Sequence, residues 1–165
     1  ILSVAQTASA HFSLTYPPTR GFSESIEANA PCGGYDTPSA NRSSFLLKDG
    51  FVEINAEHPS YTYQVNILIN SNPTSADFTS SNLVTVASGQ NSFPLAACIP
   101  VNLTDVSGAT NGTLATLQVT FNGGDGALYQ CTDVVLTSNT EGFNSSKCIN
   151  ADGSSSSATA SQSSS

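Results

Sequence analysis

The chain has 165 residues, a formal net charge of −8, a sequence pI near 4.2 and four basic residues, Arg20, Arg42, Lys48 and Lys147. Nucleic acids and anionic membranes are held by clustered cations, so the composition argues against both as partners. The length suits a single domain with a real core, and no apolar run approaches the ~18 residues of a membrane span.

The first ten residues, ILSVAQTASA, read as the tail of a secretory signal peptide. Ile1 to Val4 end its apolar region, and Ala8-Ser9-Ala10 is an A-x-A cleavage site that would leave His11 as the first residue. With no initiator Met and a serine tract at the end, the chain reads as a fragment of a longer precursor. SLTY (13–16) is the first strand candidate. FVEINAEH (51–58) alternates, with Val52, Ile54 and Ala56 on one face. YTYQVNILI (61–69) sets Tyr61, Tyr63, Val65, Ile67 and Ile69 against Thr62, Gln64 and Asn66. NLVTVAS (82–88), ATLQVTFN (115–122) and LYQCTDVVLT (128–137) complete the set. Period-two alternation marks half-buried antiparallel strands, and no stretch carries a helical apolar period. Turn clusters PCGGYDTPS, NSNPTSAD and NGGDG separate them. The expected fold is all-β, an antiparallel β-sandwich with long loops. The expected organisation is a signal-peptide remnant at 1–10, a folded domain at 11–150 and a Ser-rich stalk at 151–165. The stalk is too polar to fold and suits O-glycosylation.

Cys32, Cys98, Cys131 and Cys148 are scattered and lack CxxC spacing. That disfavours a thiolate zinc site and points to two disulfides in an oxidising compartment. Four cysteines allow three pairings, which the sequence leaves open; Cys32–Cys131 with Cys98–Cys148 is the preferred one. Asn41, Asn102, Asn111 and Asn144 are sequons, consistent with a secreted glycoprotein, although a chain rich in Asn, Ser and Thr also makes them by chance.

The chain has two histidines, His11 and His58. A free α-amine at His11 and its ring Nδ1 form a six-membered chelate, and the amine loses its proton to a metal near neutral pH. A second imidazole, His58, completes three nitrogens in a plane, a set that favours Cu(II). Without a terminal His11, His58 reads instead as a hydrogen-bonded histidine at the core margin. Pro17 and Pro18 hold an extended segment behind the terminus. Phe12, Tyr16 and Phe22 read as packing residues, and Arg20 as either a buried partner for an acid such as Glu24 or a solvated cation. Tyr129 falls near the same end.

His11-Phe12, YPPTRGF (16–22), PCGG (31–34), His58-Pro59 and GDGALYQCTDV (124–134), in this order, resemble one fungal family. It is the lytic polysaccharide monooxygenase-like copper-binding proteins of the fungal cell surface, the copper acquisition factor BIM-like family. The resemblance runs from His11 to about Cys148. It implies an immunoglobulin-like β-sandwich and a histidine brace made of the His11 amine, the His11 ring and the His58 ring. It also implies an aspartate on copper. Asp125 in the glycine-rich turn is preferred over Asp133, whose place in a strand suits structural hydrogen bonding; an Asp-Gly turn is the plainer reading of Asp125.

The function expected is Cu(2+) binding for copper acquisition or homeostasis at the cell surface, without polysaccharide oxidation. The protein would be a monomer, anchored through the stalk by a GPI group, and would pass metal towards a membrane copper importer. A copper-dependent polysaccharide monooxygenase and a metal-free wall glycoprotein are the alternatives. Against the first of these, Trp is absent and no flat aromatic cluster is legible. Fold alone does not decide among the three.

Overall fold

The computed structural model describes residues 11–154. The expected signal-peptide remnant and residues 155–165 of the expected stalk lie outside them. Eight strands form two sheets: β1 (Phe12–Tyr16), β2 (Ser43–Leu46), β3 (Gly50–Ala56), β4 (Tyr61–Ile69), β5 (Leu83–Asn91), β6 (Leu95–Val101), β7 (Leu114–Asn122) and β8 (Ala127–Thr137). One sheet has the order β1-β3-β6 and the other β2-β8-β7-β4-β5. This is the expected immunoglobulin-like sandwich, with one departure: β2 pairs with β8 in parallel, not antiparallel.

Alternation places the core between the sheets. Phe12, Leu14, Val52, Ile54, Ala97 and Ile99 from one sheet meet Val65, Ile67, Leu117, Val119 and Phe121 from the other. Phe121 stacks on Phe12 at 5.0 Å and on Tyr61 at 4.6 Å. Such pairs add about 0.5–1.5 kcal/mol each beyond the area they bury.

Part of the outer face of the larger sheet is covered, contrary to the alternation in the sequence. Asn66, Thr116, Gln118 and Asp133 point outward and are buried. The long segment between β1 and β2 lies over them, and both disulfides take the preferred pairing. Cys32–Cys131 fastens that segment to β8. Gln118 donates to the Pro31 carbonyl, and Asn66 donates to Gln118. The cover replaces water as the partner of these polar side chains, as buried polar groups require.

Two strands escaped the period-two reading. β2 is four residues long, too short for alternation to show. β6 (LAACIPV) contains Pro100, which a central strand excludes. It survives because β6 is an edge strand. The segment after Cys148 covers part of that edge: Asn150 accepts from the Cys98 N–H, and the Ala151 N–H donates to Ala96. Residue 151, expected to open the stalk, is therefore fastened to β6.

Candidate metal centre

His11 precedes β1 and His58 follows β3, and the pairing of these strands brings them to one end of the sandwich. Phe12 faces Ala56 in the antiparallel register, and the Glu57 N–H donates to the His11 carbonyl at 2.8 Å. His58 is the next residue. The β7–β8 turn carrying Asp125 opens at the same end, because Thr62 at the start of β4 pairs with Asn122 at the end of β7. Asp125 is exposed.

His58 is half-buried, in the turn between β3 and β4. Its Nδ1 lies 2.5 Å from the Ser60 carbonyl and 3.3 Å from the Ser60 N–H. A carbonyl only accepts, so the tautomer with the proton on Nδ1 is the one that satisfies the shorter contact. The Nε2 lone pair is then the one that a metal can take, and the backbone bond orients the ring.

His11 is held from the interior by residues that sequence reasoning missed. Its Nδ1 is 3.2 Å from Oε2 of Glu27, which is 1 % exposed. Gln130, equally buried, donates from Nε2 to Oε1 of Glu27 at 3.1 Å and to the Phe12 carbonyl at 2.7 Å, while its Oε1 accepts from the Leu14 N–H. One amide thus satisfies the outer backbone edge of β1 and locks Glu27. Burial raises the Glu27 carboxyl above its usual range, opposed by hydrogen bonds from Gln130, His11 and the Phe12 N–H. Glu24, mostly exposed, is 3.9 Å from the His11 Nε2. Nothing in the sequence singles out Glu27, which sits in a loop without periodicity.

That loop is pinned. The Tyr129 N–H donates to the Glu27 carbonyl at 3.0 Å. Gly33, at φ +65°, presses against the Tyr129 carbonyl so closely that a Cβ there would meet it at 2.3 Å. Only glycine suits both the backbone and the gap. Tyr129 therefore acts near this end through its backbone.

Arg20 does not pair with Glu24, nor is it solvated. Its guanidinium makes a two-pronged bond to Asp133, Nε to Oδ2 at 2.8 Å and Nη2 to Oδ1 at 2.9 Å. Asp133 also accepts from Thr116 and the Ser39 N–H. Burial pushes its pKa up, but Arg20, Thr116 and Ser39 together outweigh this and hold it below the usual carboxylate range. Of the packing aromatics, Phe12 is in the core and Tyr16 stacks on Phe51, whereas Phe22 is exposed.

Among the described residues, no group of three or more His, Cys, Asp or Glu side chains is arranged to hold a metal ion. The donors that do gather at this end, imidazole nitrogen and carboxylate oxygen, are of the kind that suits Cu(II). They fit copper as a partial set, whose remaining nitrogen in the expected brace is an α-amine. In this chain His11 follows Ala10, so that nitrogen is an amide.

Residues 9–153 match the family model described as copper acquisition factor BIM1-like. The chain is 39% identical over 153 residues to the copper acquisition factor BIM1 of Cryptococcus neoformans var. grubii serotype A, covering 89% of this chain and 69% of that protein. It is 42% identical over 139 residues to the protein of the same name from C. neoformans var. neoformans serotype D, covering 81% and 63%. The chain thus spans about two thirds of the length of these relatives. Its fold is similar to the crystal structure of a lytic polysaccharide monooxygenase from Kitasatospora papulosa, with a TM-score of 0.51, 16% identity, and coverage of 78% of this chain and 72% of that one. The match over nearly the whole described chain, with relatives near 40% identity, means that the protein belongs to the BIM1-like copper acquisition factor family.

Proposed function

We propose that this protein binds Cu(II) as cargo at the His11–His58 end of the sandwich and serves copper acquisition at a fungal cell surface, without oxidising polysaccharide. The observation that carries the reading is the His11 carbonyl to Glu57 N–H bond, which brings the residue before β1 and the turn after β3 that carries His58 to one end of the sandwich. Cleavage after Ala10 would free the His11 amine and complete a brace of amine, His11 ring and His58 Nε2. Asp125, on the turn at the same end, would supply a carboxylate to stabilise Cu(II) and occupy space that dioxygen needs. The name borne by the Cryptococcus relatives supports the copper assignment.

Secretion, a GPI anchor through the Ser-rich tail, glycosylation at the four sequons, a monomeric state and transfer to a membrane importer are parts of the same proposal. The surface supports the absence of glycan oxidation. Among the described residues Phe22 is the sole aromatic in the exposed class, which offers little flat surface for a sugar chain to stack on. The monooxygenase likeness is one of fold.

Isothermal titration of protein processed to begin at His11 tests the reading. It should bind one Cu(II) far more tightly than Zn(II), and a form retaining Ala10 should lose tight binding because an amide nitrogen has no basic lone pair. Equal copper affinity for the two forms would remove the α-amine from the site. Release of oxidised oligosaccharides with peroxide would move the function to the enzyme class.

A further inference from the structure

A buried acid is rarely left without a cation, because an uncompensated carboxylate in the interior costs several kcal/mol. Glu27 is such an acid. The four basic side chains are engaged or exposed elsewhere: Arg20 on Asp133, Arg42 on the Ala115, Val134 and Ser71 carbonyls, Lys48 and Lys147 at the surface. The Glu27 contacts are the Gln130 amide, the Phe12 N–H and the His11 ring. Its position is fixed through the Tyr129–Glu27 backbone bond and the Gly33 close approach, with Cys32–Cys131 beside them. This much fastening holds an acid against the ring of the proposed ligand His11.

We propose that Glu27 is a carboxylate of the copper site: in the metal-free protein it holds the His11 ring through Nδ1, and when the ion takes Nδ1 in place of the proton the Glu27 carboxylate lies beside it. The inference rests on the copper reading above and adds a second acid, from the protein interior, to Asp125 on the surface turn. The separation of Glu27 Oε2 and His11 Nδ1, 3.2 Å, is one that two donors on a common ion adopt. Metal–nitrogen and metal–oxygen bonds of about 2.0–2.2 Å at near right angles set the donors roughly 3 Å apart. A carboxylate excluded from water is weakly screened, so its charge acts strongly on a neighbouring cation. Oxygen donors and negative charge favour Cu(II) over the softer Cu(I). Glu27 would therefore make this end selective for the oxidised ion, and copper would leave more readily once reduced.

Glu27→Gln keeps the shape and the bond to Gln130 while removing the charge. In protein beginning at His11, the Cu(II) electron paramagnetic resonance spectrum should change. Cu(II) affinity should fall about 10–100-fold, the scale of groups that support metal ligands. The Cu(II)/Cu(I) potential should rise, and thermal unfolding of metal-free protein should separate folding defects from these effects. Glu27→Asp, which restores the charge one methylene short, should recover part of the affinity with an altered hyperfine splitting. A folded Glu27→Gln protein with an unchanged spectrum, affinity and potential would overturn the proposal. If that variant does not fold, Glu27→Asp decides: an altered splitting supports the proposal and a superposable spectrum overturns it. His58→Ala, measured alongside, keeps the two readings apart. Unchanged affinity there sinks the copper reading itself, whereas lost affinity with silent Glu27 variants sinks only the role of Glu27.

Discussion

Glu27 and Asp133 are both carboxylates buried to within a few per cent; Glu27 lies in the segment that joins β1 to β2, and Asp133 is reached by it. Their surroundings differ in one respect that matters. Asp133 meets a permanent cation, Arg20, in a bidentate geometry, with Thr116 and the Ser39 N–H as further donors. Glu27 meets an amide, a backbone N–H and an imidazole. The pKa directions follow, down for Asp133 and up for Glu27. An acid completed by arginine has no charge left for a ligand, so its role is to pin a loop to a strand. An acid that ends on a histidine at the rim of the sandwich has no permanent cation beside it, a place that a metal ion can fill.

The comparison is broken most severely by removing the arginine. Arg20→Ala leaves Asp133 buried and unpaired and should cost about 3–5 kcal/mol of stability in urea unfolding. A loss under 1 kcal/mol would show that Asp133 is not the structural acid of the pair. Next in size is His58→Ala, which removes an imidazole from the proposed copper site. Cu(II) affinity should fall roughly a hundredfold, about 2.7 kcal/mol, by isothermal titration, with unfolding little changed. An unaltered affinity excludes His58 as a ligand.

Acid titration sharpens the Asp133 side. Its folded-state pKa lies below the unfolded value of about 3.9, so its contribution is fully present above that value. It is lost as pH falls through the folded pKa, in the range below about pH 4. Asp133→Asn should flatten the stability profile there; a profile as steep as that of the parent would place the acid sensitivity elsewhere. The smallest effect expected is that of Asp125→Ala on affinity, about tenfold or 1.4 kcal/mol, because Asp125 is exposed. Its spectrum should nonetheless change and ascorbate-driven peroxide production should rise, with Asp133→Ala as the control that alters stability instead. If Asp133→Ala shifts the spectrum and Asp125→Ala does not, the two aspartates exchange roles.

Alternation made β3, β4 and β7 legible with little error, since a strand with one face in a core must repeat every second residue. The motifs from His11 to Val134 made the family legible, and with it the immunoglobulin-like fold. β2 and β6 were hidden, one by brevity and the other by Pro100. The partner of Arg20 was hidden for a further reason. Glu24 is close in sequence and Asp133 is 113 residues away, yet the β1–β2 segment returns across β8 and makes the distant acid the near one.

The sequence by itself determined six of the eight strands, the poverty of cations, the two histidines and the motif order, because each is local or is a count. Only the tertiary structure decided which acids face which bases. Glu27 lies in a loop with no period to mark it, and its proximity to His11 follows from two anchors far along the chain: Tyr129, which bonds its backbone, and Gln130, which bonds its carboxylate. Burial, which separates Glu27 and Asp133 from Asp125, depends on whether another part of the chain excludes water from them. That is a property of packing, with no trace in the identity of the residue.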